Sequence, residues 1–152
     1  MADWIDDLVR NLKQKYNDQR TSDQKYVLEE NQKHAAGRQF MATFQEDLQK
    51  YIREFNARMG GSSVFSLDLG NGSLTVKAQL TLQEMKTTTL RYLEPLFQVA
   101  MSSPGSAVEK IFRLTLVGGM AMVEEMSLTS GQTVQMSASD FAKMVLTKLI
   151  QG

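Results

Sequence analysis

The single histidine is the first residue of this chain to consider for chemistry. A histidine acts as a general base when a carboxylate orients it and a cleft holds the substrate. His34 lies instead in a polar stretch, residues 29–36, with Glu30 one helical turn before it. We therefore interpret His34 as a solvated helix residue, and we predict neither a Ser–His–Asp triad nor a metal site around it.

Acid–base hydrolysis with two carboxylates is the next chemistry to consider, because acidic residues occur in four adjacent pairs. Neighbours on a helix point about 100° apart, and neighbours on a strand face opposite sides, so adjacent carboxylates do not converge on one bond. The four pairs are Asp6–Asp7, Glu29–Glu30, Glu46–Asp47 and Glu124–Glu125. The absence of cysteine excludes thiolate metal ligands and cysteine nucleophiles. We expect no catalytic residue, no metal ion and no cofactor.

Two glycine-rich segments are candidates for phosphate binding. A phosphate-binding loop joins a strand to a helix and usually has further glycines or a Lys-Ser/Thr pair. Gly70-Asn71-Gly72 and Gly118-Gly119 each lie between two segments with strand-like alternation. We interpret both as hairpin turns.

Methionine is the one unusual feature of the composition, with ten residues of which six lie in the part of the chain predicted to form the sheet. The favoured interpretation is that these flexible side chains fill gaps in the core of a curved sheet. The alternative is an adaptable apolar cavity that binds a partner segment or a lipid-like ligand. The candidate cavity-lining residues are Met101, Met120, Met122 and Met126.

Charge and length exclude further classes of function. The chain has 152 residues and a formal net charge of zero, and residues 1–60 alone carry ten basic and ten acidic side chains. Without a basic patch, we expect no binding to nucleic acid. No apolar run approaches the ~18–20 residues that span a bilayer, so no membrane span is expected. Asp3, Asp6 and Asp7 contradict a secretory signal, and we expect a cytoplasmic protein.

The first 59 residues have the composition of helices, with no proline and Gly37 as their one glycine. Two apolar stripes follow helical spacing and are separated by the polar residues 17–25, which leave open whether there is one helix or two. Gly60-Gly61 ends the helical segment. The first stripe consists of Trp4, Ile5, Leu8, Val9 and Leu12, and the second of Phe40, Phe44, Leu48, Ile52 and Phe55.

The second half alternates apolar and polar residues, most strictly over residues 73–82, and ends in a short amphipathic helix. Ser137 and Asp140, three residues apart, are predicted to cap the start of this helix. Strands are predicted over residues 65–69, 73–82, 85–92, 96–102, 108–117, 120–126 and 133–136. The fold class is therefore α+β: a long N-terminal helical segment, a six- or seven-stranded antiparallel sheet, and a short C-terminal helix packed on one sheet face. We divide the chain into an N-terminal helical extension, residues 1–34, and an α+β domain, residues 35–152.

The absence of a catalytic constellation favours a non-enzymatic protein-interaction module, of the scaffold or chaperone-like kind. We expect it to self-associate through the stripe Trp4, Ile5, Leu8, Val9 and Leu12, as a homodimer, or to bind another protein. The alternative is a carrier of a small-molecule or lipid-like ligand, with a methionine-lined cavity between sheet and helices.

Overall fold

The structure, a computed structural model, describes residues 3–105, 109–126 and 133–151. This part of the chain forms an α+β fold in which a long helix precedes a seven-stranded antiparallel sheet and a short helix follows it, as predicted. The helices are α1 (Asp3–Arg58) and α2 (Ala138–Gln151). The strands are β1 (Phe65–Gly70), β2 (Ser73–Gln79), β3 (Met85–Leu93), β4 (Gln98–Ser102), β5 (Lys110–Val117), β6 (Met120–Met126) and β7 (Thr133–Met136).

The polar stretch over residues 17–25 does not interrupt α1, which answers the question of one helix or two. Thr21, a residue type that often caps helices, donates a hydrogen bond from its hydroxyl back to the carbonyl of Asn17 at 2.9 Å. Gln19 donates a hydrogen bond to the carboxylate of Asp23, one turn further along the helix, at 3.0 Å. These polar side chains therefore bond within the helix instead of starting a new one.

The chain divides into two units, Met1–Lys33 and His34–Gly152. The described residues of the first unit are helical throughout. The second unit contains the remaining residues of α1, the sheet and α2, and all residues of the buried hydrophobic core belong to it.

The sheet is a meander in which every strand pairs with its neighbours in the chain, in the order β1 to β7. The hairpin between β5 and β6 turns at Gly118-Gly119, where both residues have positive φ, as a two-residue turn of this kind requires. Strand β2 ends at Gln79 and not at the predicted residue 82. Thr81 accepts a hydrogen bond from the backbone of Glu84 at 3.0 Å, so its hydroxyl stabilises a turn in place of the strand.

The core lies between one face of the sheet and the two helices. Of the predicted α1 stripe, Phe40, Phe44, Leu48 and Ile52 are buried, and Phe55 packs against them. Helix α2 begins after Ser137, which accepts a hydrogen bond from the backbone of Asp140 at 3.2 Å, as predicted for its cap. The helices thus cover the sheet face that carries the inward residues of the alternating strands.

Gly37 permits a close approach between α1 and the end of β3. A Cβ atom at this position would lie 1.9 Å from the hydroxyl oxygen of Tyr92 and 2.7 Å from its Cζ. Glycine normally weakens a helix interior by ~0.5–1 kcal/mol relative to alanine. The half-buried Tyr92 ring occupies the space that a side chain at residue 37 would need, which explains the glycine at this position.

Replacement of Gly37 by alanine is therefore expected to destabilise the protein by about 1–3 kcal/mol, because overpacking outweighs the gain in helix propensity. Denaturant unfolding followed by near-ultraviolet circular dichroism measures this change. In a Tyr92→Ala background the severe contact is gone and only Phe97, with its Cε1 at 3.2 Å from the added Cβ, must shift slightly, so we expect a much smaller loss of stability. Equal effects of Gly37→Ala in both backgrounds would contradict the close-approach explanation.

Candidate functional site

The predicted interaction stripe lies on the first unit of the chain and is open to solvent along its whole length. All five of its side chains are exposed, with Trp4 at 65% and Leu8 at 58%. Tyr16 extends the stripe by one turn and is equally exposed, at 65%. A single helix of a globular protein normally buries such a stripe against another element. Within the described residues of the first unit, no other element covers it.

The charges beside this stripe are unevenly distributed along the helix. Asp3 and Asp6 lie in the first turn, where carboxylates interact favourably with the helix dipole. Lys13 and Lys15 follow later in the sequence. The segment therefore has an acidic beginning and a basic end.

The predicted cavity-lining methionines are distributed over two separate sites. Met120, which is 72% exposed, and the half-buried Met122 line a pocket of about 270 Å³, whose other walls include the buried Phe40 and Ala138. Met101 is half-buried and lines a different groove. The side chain of Met126 lies outside the described residues.

The groove lined by Met101 has a volume of about 470 Å³ and is bounded by β3, the end of β4 and the last turns of α2. One part of its wall is polar. It contains Lys86, Lys148 and the hydroxyl of Ser103, which lies 3.1 Å from the hydroxyl of Thr88. Thr88 is 4% exposed and is the one buried polar residue of the described part of the second unit.

A cluster of charged residues adjoins this groove. The Lys110 ammonium donates a hydrogen bond to the Glu125 carboxylate and also contacts the Lys148 amine. Burial lowers the pKa of Lys110, but the hydrogen bonds to Glu125 and Lys148 outweigh it and raise this pKa above its ordinary value. The contact with Lys110, together with burial, lowers the pKa of Lys148. Two amines therefore share one carboxylate.

His34 contacts Glu94, at 3.5 Å from its Nδ1 to the carboxylate, and not Glu30 as the helical spacing suggested. Arg38 holds the same carboxylate oxygen with its Nε at 2.9 Å and its Nη2 at 2.8 Å. Burial, reinforced by the negative charge of Glu94, raises the pKa of the Tyr92 hydroxyl beside them. These contacts join α1 to the turn after β3, and we interpret them as structural.

Comparison with known proteins adds no identity. No protein-family model, curated protein or solved structure matches this chain. Within the described ranges, no group of three or more histidine and acidic side chains is arranged to hold a metal ion. In the same ranges no helix is both long enough and apolar enough to cross a membrane.

The groove lined by Met101 and Lys148 was not predicted from the sequence as a cationic site. Its lysines are far apart in the chain, at the start of β3 and near the end of α2, and neither stands in a motif. One signal was present: Thr88 has the strand parity of the inward-facing Leu90 and is nevertheless polar. A polar residue at an inward position indicates either a hydrogen-bond partner or a cavity.

Proposed function

We propose that this chain is a non-enzymatic protein-interaction module that forms a homodimer through residues 3–16 of α1. The observation that carries the proposal is the exposed apolar stripe centred on Trp4, Ile5, Leu8, Val9 and Leu12. Most helical stability in proteins comes from packing of an apolar face and not from helix propensity, and the apolar face of residues 3–16 is exposed. A second copy supplies that packing with the same surface, as the two-fold interfaces of most soluble oligomers do.

The distribution of charge supports an antiparallel arrangement of the two copies. Asp6 and Lys13 are almost two helical turns apart and therefore lie on the same side of α1, next to the stripe. In an antiparallel pair, Asp6 of one copy faces Lys13 of the second copy. A parallel pair brings like charges together at each level, which is unfavourable. We therefore propose that the helices associate in opposite directions.

The experiment that tests dimerisation is sedimentation equilibrium of the full chain at tens of micromolar. We expect a dimer mass for the native chain. The double variant Trp4→Asp/Leu8→Asp is expected to raise the dissociation constant about 100-fold or more, because two apolar anchors worth ~1.5–3 kcal/mol each are lost. The matched control, Asn17→Asp/Gln24→Asp, adds the same charge at exposed positions of the polar stretch and leaves the mass unchanged.

A charge-reversal series tests the direction of pairing. Asp6→Lys alone is expected to weaken the dimer, and Asp6→Lys combined with Lys13→Asp is expected to restore it. Trp4 is the one tryptophan of the chain, so the shift of its fluorescence with concentration reports association without a label. A native chain that stays monomeric at tens of micromolar would contradict the homodimer, and a double reversal without rescue would contradict the antiparallel arrangement.

The second candidate function is a carrier of a small molecule. One observation favours it: the groove lined by Met101 has a volume within the ~300–1,000 Å³ typical of ligand sites. The core between sheet and helices argues against a larger internal cavity, because Leu48, Val76, Leu90 and Phe112 are fully buried at its centre. The methionines also do not converge on one cavity, since Met101 lines a different site from Met120 and Met122.

A further inference from the structure

The groove beside the last turns of α2 combines an apolar wall with a cationic one. The apolar wall is formed by two methionines, a proline and two aliphatic residues of α2, namely Met85, Met101, Pro104, Val145 and Leu149. The methionine side chains adapt their shape to an apolar ligand more easily than branched residues do. This wall suits a flexible apolar chain.

The cationic wall is formed by Lys86 and Lys148, with the hydroxyls of Thr88 and Ser103 beside them. None of the described residues that line the groove is acidic. The Thr88 hydroxyl is hydrogen-bonded to the Ser102 carbonyl at 3.3 Å and to the Ser103 hydroxyl, so the two ammonium groups are the main donors for an anion. Hydrogen bonds between charged groups are the stronger kind. This wall suits a compact anionic headgroup.

The charges behind the groove also favour an anion. Lys148 contacts Lys110, and Lys110 is hydrogen-bonded to the carboxylate of Glu125. This cluster therefore contains two ammonium groups and one carboxylate. The residues outside the described ranges include no aspartate or glutamate that would add a second carboxylate. The contact between the two lysines lowers the pKa of Lys148, because the neighbouring ammonium group disfavours the charged form of Lys148. A bound anion would stabilise the charged form of Lys148.

We propose that this groove binds a small amphipathic anion, with a carboxylate or phosphate headgroup at Lys148 and Lys86 and a short apolar chain against Met85 and Met101. This site is separate from the apolar stripe of residues 3–16, so it does not rest on self-association. It gives the second candidate function a ligand class and a location.

Isothermal titration calorimetry of the full chain with four probes tests the proposal. Octanoate and octyl phosphate have both a charged head and an apolar chain, octanol lacks the charge, and acetate lacks the chain. We expect saturable binding of octanoate or octyl phosphate, and the tighter of the two identifies the headgroup. Octanol and acetate are each expected to bind at least about tenfold more weakly, since each lacks one of the two required features. Methyl resonances of Met85 and Met101 should shift with the bound probe.

Two lysine variants of α2 locate the headgroup. Lys148→Gln is expected to weaken binding of the preferred probe about tenfold or more. Lys143→Gln removes the same charge from the same helix, at a residue that lies over the Tyr51 ring and outside the groove, and should leave affinity unchanged. The proposal is overturned if neither amphipathic anion binds, if octanol or acetate binds as tightly as they do, or if the two lysine variants behave alike.

Discussion

Truncation of Phe141 to alanine is expected to lower the free energy of unfolding by about 3–5 kcal/mol, the usual cost of removing a buried aromatic ring. Phe141 is 1% exposed and contacts three aromatic rings from two other elements. Its ring centroid lies 5.2 Å from that of Phe44 on α1 and 5.0 Å from that of Phe112 on β5, both edge-to-face. Such pairs add ~0.5–1.5 kcal/mol beyond the buried area. Phe141 therefore connects α2 to both α1 and the sheet.

Calorimetry or denaturant unfolding monitored by near-ultraviolet circular dichroism gives this free energy. Tryptophan fluorescence does not report it well, because Trp4 is exposed outside the core. The matched control is Ile150→Ala, which removes a side chain that is 39% exposed from the same helix and should cost far less. Similar losses for the two variants would mean that Phe141 is not the centre of the core.

Leu48→Ala is the second substitution with a large expected effect, a loss of about 2–5 kcal/mol in the free energy of unfolding. Leu48 is completely buried at the middle of the α1 stripe. Its removal leaves a cavity that the surrounding side chains fill only in part, because both α1 and the sheet beneath it are fixed by many other contacts. The same unfolding experiments measure this loss.

Gln49→Ala is the control for Leu48, since it lies on the same turn of α1 and is exposed. Alanine is a strong helix former, so this substitution should leave stability within about 0.5 kcal/mol of the native value. If Leu48→Ala also leaves the midpoint of unfolding unchanged, α1 does not pack on the sheet through this face.

The fold class was predictable because most elements show a clear helical or alternating pattern of apolar residues. In β2, Leu74, Val76 and Ala78 are buried while Thr75 and Lys77 between them are not, as strict alternation requires. The end of β2 was not predictable from alternation, since Leu82 continues the pattern but follows a threonine whose hydroxyl stabilises a turn. Alternation reports which side a residue faces, and not whether the backbone still has a pairing partner.

The candidate sites were less accessible to prediction. The apolar stripe from Trp4 to Leu12 has a local pattern and was found from spacing alone. The cationic groove depends on Lys86 and Lys148, which come together only when α2 lies across β3 and β4. The contact of Glu94 with His34 and Arg38 arises in the same way, from tertiary packing. The inward position of Thr88 signals a polar partner or a cavity, but a single sequence does not show which distant residues lie there.

The meander order of the sheet has a consequence for how the chain folds as it is synthesised. Because every strand pairs with its chain neighbours, each hairpin forms from local contacts and has a low entropic cost of loop closure. The contacts of Phe44 with Phe141 are different, since they close the full length of the sheet between α1 and α2. Translation produces the aromatic face of α1 first and its partner α2 last. In the nascent chain, the sides of Phe40 and Phe44 that contact Phe141 therefore stay uncovered until α2 has emerged.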